Sequence, residues 1–78
     1  MSYLICYDIC DDKRLVKVHR FLSKKCLQIQ KSVFICLDNK LIQSLMLQAS
    51  GMIKPNEDSL RCFQVLNTEL YQNNMITI

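Results

Sequence analysis

The chain opens with an almost continuous apolar run, SYLICYDIC, over residues 2–10. In an extended strand, alternate side chains point to opposite faces. One face then holds Tyr3, Ile5, Tyr7 and Ile9, and the other holds Leu4, Cys6, Asp8 and Cys10. Because both faces are largely apolar, the pattern predicts an interior strand that is covered on two sides. Asp8 is the exception, since it places a carboxylate on an apolar face near the carboxyl end of the strand.

A helical pattern follows this strand and separates positive from apolar side chains. Asp11 and Asp12 can supply the N-cap, and the pattern continues to about Cys26. At ~100° per residue, one narrow stripe holds Lys13, Lys17, Arg20 and Lys24. The opposite side holds Leu15, Val18 and Leu22. We therefore expect one side of this helix to pack on the sheet and the other to present cations to solvent.

The rest of the chain predicts two short strands, a second helix and a last strand. LQIQKSVFICLD predicts strands at 27–31 and 33–38, with a bend or bulge near Ser32. The second helix is predicted to have its cap at Asp38 or Asn39, its apolar side at Leu41, Ile42 and Leu45, and its end at Gly51. The loop KPNED then precedes the strand SLRCFQVL, residues 59–66. The resulting order, β-α-β-β-α-β, predicts a ferredoxin-like α+β fold.

The length of 78 residues predicts a single domain with its core over residues 1–66. Helices cover only one face of such a sheet, so a second apolar face needs another cover. A second copy of the chain is the economical candidate, which predicts a homodimer. Residues 67–74 are polar and linker-like, and MITI at 75–78 returns to β composition. This end is predicted to add a short strand to a sheet edge of the same or the partner subunit, with a frayed tail as the alternative.

Positive charge is concentrated in one part of the chain. The net charge is only +3, but seven of the ten Lys and Arg residues lie within residues 13–31, which contain no acid. Such a cluster favours a polyanionic partner, with an ordinary solvated helix face as the alternative. The candidate contacts are Lys13, Arg14, Lys17, Arg20, Lys24 and Lys31. Because contacts to a phosphate backbone are independent of sequence, we expect binding with weak sequence preference and strong salt dependence.

Cysteine spacing and hydropathy narrow the class of protein. The five cysteines show no C-x-x-C spacing, which favours reduced, buried thiols over a zinc site. No apolar stretch reaches the ~18 residues of a membrane span, and the N-terminus lacks the pattern of a signal peptide. We therefore expect a cytoplasmic protein that has no membrane partner.

Four motifs, in this order, give the chain a family resemblance: YDI at the end of the first strand, then DDKR, QKSVF and EDSLR. From about Tyr3 to Leu66 the chain resembles the "Cas two" family of CRISPR-associated proteins. The resemblance implies a ferredoxin-like homodimer whose sheets face each other, with a C-terminal strand that docks on the partner. It also implies that Asp8 is the catalytic and metal-binding residue, which shares one Mg²⁺ or Mn²⁺ with Asp8 of the partner subunit.

The activity that this resemblance implies is that of a divalent-metal-dependent endonuclease acting on RNA, double-stranded DNA or both during spacer acquisition. The alternative is a non-catalytic dimeric scaffold that holds DNA while a CRISPR integrase subunit performs the chemistry. A ferredoxin-like interaction module that binds no nucleic acid is a third interpretation.

The chemistry of a carboxylate supports the metal assignment. Phosphodiester hydrolysis needs an activated water and neutralised phosphate charge, and a bound Mg²⁺ can supply both. One Asp8 is a weak ligand, whereas two related by symmetry make a credible site. Without an ion, two such carboxylates raise each other's pKa. A turn or capping role is the alternative for Asp8.

Asp11, Asp12 and Ser32 are further candidates, as residues that orient the water or the phosphate. Helix capping is the alternative for the two aspartates, and a hydrogen bond to backbone is the alternative for the serine.

Overall fold

The computed structural model describes residues 2–37 and 40–65. Its elements are β1 (Ser2–Asp8), α1 (Asp12–Ser23), β2 (Leu27–Gln30), β3 (Val33–Cys36), α2 (Ile42–Ser50) and β4 (Ser59–Val65). The strands form one sheet in the order β2-β3-β1-β4, and all neighbouring strands are antiparallel. The predicted β-α-β-β-α-β order and α+β class are therefore confirmed. The strands β1, β2 and β3 and the helix α1 end one to three residues before the predicted positions.

Helix α1 begins where the sequence placed its cap. Asp11 is the N-cap residue with an extended backbone, and its carboxylate accepts the N–H of Arg14 at 3.0 Å. Asp12 lies in the first turn, where its charge is favourable for the helix dipole. The helix ends at Ser23, and the N–H of Cys26 donates to the carbonyl of Leu22 at 2.8 Å, so that the chain turns directly into β2.

Helix α2 begins differently from the prediction. Leu41 occupies the N-cap position and makes no side-chain cap bond. The caps predicted at Asp38 and Asn39 lie outside the described residues. Gly51 is the C-cap residue, as predicted. Because α2 has neither a side-chain cap nor an acidic residue in its first turn, packing of its apolar side supplies most of its stability.

The sheet has an apolar core on each face. On the helix face, Ile5, Tyr7 and Phe34 are buried against residues of both helices, among them Leu22 and Leu45. The opposite face, called the outer face below, carries a second cluster formed by strand residues alone: Leu4, Ile29 and Ile35, with Val33 and Val65 packed against them. The prediction of a first strand that is apolar on both sides is confirmed by these two clusters.

Strands β2 and β3 are joined by a turn at residues 31–32, close to the predicted bend at Ser32. A register shift between Gln28 and Gln30 introduces a β-bulge shortly before it. Within the described part of the chain, no helix has the length and apolarity needed to cross a membrane. The predicted strand at 75–78 and the linker at 67–74 lie outside the described residues.

We predict that Leu22→Ala lowers the free energy of unfolding by about 2–5 kcal/mol, because Leu22 is fully buried and its loss leaves a cavity. Urea denaturation at a fixed protein concentration measures the change. Leu47→Ala on α2 is the matched control, since Leu47 is 76% exposed and its loss should change stability by no more than about 0.5 kcal/mol. Equal effects of the two substitutions would contradict the assignment of the core.

Candidate functional site

Asp8 is the last residue of β1, and its side chain is exposed. Strand alternation places it on the outer face with Leu4 and Cys6, opposite Ser59 of β4. Tyr7 points the other way, is buried, and stacks on Phe34 with ring centroids 6.1 Å apart. A solvent-accessible carboxylate therefore stands at the edge of an apolar surface.

Arg61 is a second charged residue of the outer face, and the analysis of the sequence did not select it. It lies on β4 opposite Cys6, two residues after Ser59, which lies opposite Asp8. Its positive charge lowers the pKa of Cys6, although burial of this thiol dominates and raises that pKa. The alternation of side chains along SLRCFQV places Arg61 and Phe63 on the same face of β4. This pattern could have identified Arg61 from the sequence.

The carboxylate of Asp58 connects the site to the rest of the fold. It accepts the backbone N–H groups of Cys10 at 3.0 Å and Lys54 at 2.8 Å. The guanidinium of Arg14 donates to it through Nε at 2.8 Å and Nη2 at 3.2 Å. These bonds fasten the segment after Asp8, the first turn of α1 and the loop before β4 to one buried group. The Arg14 hydrogen bond is the main reason that the pKa of Asp58 lies well below its usual range.

The candidate nucleic-acid contacts fall into two groups. Five of them are exposed: Lys13, Lys17, Arg20 and Lys24 on or directly after α1, and Lys31 at the turn between β2 and β3. Arg14 differs, because it is half-buried and bonded to Asp58, with a further ion pair to Glu57 at 3.2 Å. These bonds raise the pKa of Arg14 and give its guanidinium a structural role within the chain.

A depression of about 400 Å³ lies between α1 and the turn that joins β2 to β3. Its apolar walls are Tyr7, Ile9, Leu15 and Val16. Its polar lining is Asp8, His19, Lys31 and Ser32. Ser32 is half-buried, and its carbonyl accepts the N–H of Tyr7 at 3.1 Å, so backbone pairing holds this turn beside the end of β1.

All five cysteines are free thiols. The expectation of burial holds fully for Cys36 alone, since Cys10 is exposed and the other three are half-buried. The pKa of Cys26 is raised to about 12, mainly by burial and also by the neighbouring Cys36 and Cys62. The Cys26 thiol is therefore protonated and a poor nucleophile at neutral pH.

The donor set of a single chain limits what it can hold. Among residues 2–37 and 40–65, no group of three or more His, Cys, Asp or Glu side chains could bind a metal ion. Asp8 still offers hard oxygen atoms to solvent, which is the ligand type that Mg²⁺ and Mn²⁺ prefer. Magnesium keeps several waters and is often held by one or two carboxylates. The chemistry of Asp8 thus fits half of a shared site.

Comparison with known proteins identifies the family. The family model for CRISPR associated protein Cas2 matches residues 1–73. The chain belongs to the Cas2 family. The CRISPR-associated endoribonuclease Cas2 2 of Thermodesulfovibrio yellowstonii is 35% identical over 71 residues, which cover 90% of this chain and 78% of that protein. The CRISPR-associated endonuclease Cas2 2 of Thermus thermophilus is 38% identical over 64 residues, covering 81% and 71% respectively.

A crystal structure of a hypothetical protein from Thermus thermophilus has the same fold as this Cas2 chain. Its TM-score is 0.76 at 36% sequence identity, and the match covers 85% of this chain and 82% of that chain. The resemblance to the "Cas two" family, based on the four motifs, is therefore confirmed, together with the fold that it implied.

We predict that Asp58→Asn lowers the thermal unfolding midpoint at pH 7, and that the difference from the native protein narrows as the pH falls. The folded-state pKa of Asp58 lies below the unfolded value of ~3.9, so its contribution is complete above about pH 4. As the pH falls further, the unfolded chain takes up the proton first and this contribution is lost. Circular dichroism melts from pH 7 to pH 3 measure the effect.

The control for this change is Asp12→Asn, which removes an exposed carboxylate from the first turn of α1, the turn to which Asp58 is bonded through Arg14. It should lower the midpoint less than Asp58→Asn at pH 7. A difference between the native and Asp58→Asn proteins that stayed constant down to pH 3 would contradict the role of the buried carboxylate.

Proposed function

We propose that this Cas2 protein is a divalent-metal-dependent endonuclease that hydrolyses phosphodiester bonds, and that it takes part in CRISPR spacer acquisition. The observation that supports this most directly is the position of Asp8. An exposed carboxylate ends a strand on the otherwise apolar outer face, with Arg61 on the neighbouring strand. Both curated relatives compared above are named as endonucleases, one of them as an endoribonuclease.

The proposed active unit is a homodimer that buries the outer face. Three large apolar side chains remain open to solvent on and beside this face: Leu27 at 60%, Leu37 at 58% and Phe63 at 48% exposure. Apolar side chains left open around an already apolar cluster mark an interaction surface. A second copy supplies the same pattern, and a twofold pairing brings Asp8 near Asp8 of the partner subunit. The pair of carboxylates would then hold one Mg²⁺ or Mn²⁺.

The residues of this chain have separate tasks in the proposed hydrolysis. When bound, the ion supplies charge neutralisation on the phosphate and a water of lowered pKa. Asp8 holds the ion, and Arg61 on the same face supplies a fixed positive charge for the phosphate. Asp58 is a positioning residue: its carboxylate accepts the N–H of Cys10 and thereby fixes the chain just after Asp8.

RNA is the proposed principal substrate, and double-stranded DNA is the second one to test. The exposed cations Lys13, Lys17, Arg20, Lys24 and Lys31 support contact with a phosphate backbone, which both polymers share. The assignment of RNA rests on the name of the Thermodesulfovibrio yellowstonii relative.

The second candidate function is a DNA-holding scaffold for a CRISPR integrase subunit. One observation favours it: the cations of α1 lie on the helix side of the sheet, whereas Asp8 lies on the outer face. A positive surface separate from the carboxylate can hold a duplex without any hydrolysis. The two functions differ in what they require of Asp8.

We predict that Asp8→Asn abolishes metal-dependent cleavage of RNA, with a loss of about a hundred-fold or more, because it removes electrostatic stabilisation at the reacting phosphate. Binding of the same RNA, measured in a chelator, should stay within about twofold. Labelled RNA and duplex DNA incubated with Mg²⁺, Mn²⁺ or chelator provide the readout.

The matched control for Asp8→Asn is Glu57→Gln, which also converts an exposed acid to an amide and should keep its cleavage rate. Size-exclusion chromatography checks that both variants have the same oligomeric state. Full cleavage by Asp8→Asn would overturn the assignment of the metal site to Asp8. Loss of cleavage with retained DNA binding would leave the scaffold function intact.

We predict that Lys17→Gln weakens RNA binding and reduces the slope of log K against log salt concentration by ~0.7–0.9, the value expected for one lost phosphate contact. Fluorescence anisotropy at several salt concentrations measures the slope. Lys54→Gln is the control, since the Lys54 ammonium already pairs with Glu57 at 3.4 Å and should leave the slope unchanged. Binding that is independent of salt in the native protein would rule out the cationic surface as the interface.

A further inference from the structure

The depression beside Asp8 has the size of a small-ligand site, and the proposed hydrolysis on the outer face makes no use of it. Its volume of about 400 Å³ lies within the ~300–1,000 Å³ range of sites that hold small ligands. It opens between α1 and the turn at residues 31–32, and Asp8 is one of its lining residues. A ligand seated there would therefore be adjacent to the carboxylate of the proposed nuclease site.

The walls of the depression are apolar, and one of them is open to solvent. Val16 is 52% exposed although it lies on the same helix as a stripe of cations. Leu15 and Ile9 continue this wall toward the core, and Tyr7 closes it with an aromatic ring. Apolar walls of this kind bind the flat faces of a ring system by covering them from water.

Polar groups converge on the same space and are held in place by the fold. The ring of His19 packs edge-on against Phe34, with centroids 5.5 Å apart, and its Nδ1 lies 3.5 Å from the hydroxyl of Ser23. The turn that carries Lys31 is fastened to β1, because the hydroxyl of Tyr7 donates to the carbonyl of Lys31 at 3.3 Å. Because His19, Lys31 and Ser32 line the depression, a ligand that enters it can meet an imidazole, an ammonium and a hydroxyl group.

This combination selects among ligand classes. A purely apolar side chain would desolvate the imidazole, ammonium and hydroxyl groups without giving them partners. A bare phosphate would leave the apolar walls uncovered. A nucleobase satisfies both requirements, because its faces are apolar and its edges carry donors and acceptors.

We propose that this depression binds the base of a nucleotide next to the phosphate that is cleaved at Asp8. The proposal rests on the proposed endonuclease function and adds to it a subsite for the base. Binding through apolar and aromatic walls tolerates every base, so the subsite contributes affinity for nucleotides with only a modest base preference.

The first test requires no cleavage. Amide chemical shifts of the full ¹⁵N-labelled chain are followed by NMR while AMP, GMP, CMP or UMP is added, with ribose 5-phosphate as the probe that lacks a base. We expect the nucleotides to shift the amides of Val16, His19 and Ser32, and ribose 5-phosphate to leave them unchanged. Equal shifts from ribose 5-phosphate, or nucleotide shifts confined to other residues, would overturn the base subsite.

The second test joins the depression to catalysis. Val16→Trp fills the mouth of the depression, and Leu47→Trp, at a highly exposed position on α2, is the matched control. In RNA that contains one abasic nucleotide beside the cleaved bond, the base itself is missing. We expect KM to rise about ten-fold when Val16→Trp acts on intact RNA, and also when the native protein acts on the abasic RNA. This rise is in line with the loss of one stacked base, and kcat should stay within about twofold.

The two changes together should raise KM no further than either alone, because both remove the same contact. Multiplied effects of about a hundred-fold, or a Val16→Trp protein that behaves like Leu47→Trp, would overturn the proposal. A native protein that cleaves no RNA at all would contradict the endonuclease function, and the NMR titration would then decide the base subsite on its own.

Discussion

A single buried carboxylate holds together the end of the molecule that carries the site. Asp58 accepts two backbone N–H groups and two guanidinium N–H groups, from nearby Lys54 and from Cys10 and Arg14, which precede it by 48 and 44 positions. Without this group, the segment after β1, the start of α1 and the loop before β4 would have no common anchor. The position of Asp8 follows from it, since Asp8 lies two residues before the anchored N–H of Cys10.

The second constraint is a sheet that is apolar on both faces while its helices cover only one. Within residues 2–37 and 40–65, the cluster around Leu4 and Ile35 consists of strand residues alone, and exposed Phe63 and Leu27 extend this surface. The same face carries Asp8 and Arg61, so the surface that most needs a partner also carries the charged groups suited to phosphate. In the proposed homodimer, association and chemistry would be coupled, because each chain would supply one of the two carboxylates.

Much of the fold could be predicted because local patterns agreed with it. The period-two alternation of β1, the Asp11 cap and the cationic stripe of α1 each depend on neighbouring residues, and each is present in the structure. The ends of β1 and α1 were predicted too late in the chain, because Ile9 and Cys10 continue the alternation of β1 and Lys24 continues the cationic stripe of α1. There the chain is turned by tertiary bonds, such as that from Cys10 to Asp58, which no local pattern reveals.

The site was predictable to a lesser degree, for the same reason. Asp8 stood out because a carboxylate on an apolar strand face is anomalous in the sequence itself. The separation of Arg14 from the other cations depends on Asp58, 44 positions later in the chain, and the depression depends on α1 meeting a turn between two strands. Both are long-range contacts, which periodicity and spacing do not encode.

Because Cys10 is the exposed cysteine of the five, the protein can be labelled selectively at this position. The thiols of Cys6, Cys26 and Cys62 are shielded and hold their protons tightly, and Cys36 is buried, whereas the Cys10 sulfur lies at the surface and donates to the Glu57 carbonyl at 3.0 Å. A maleimide dye should therefore attach first at Cys10. Resonance energy transfer between dyes on two copies would then report, in solution, how closely the ends of their first strands approach one another.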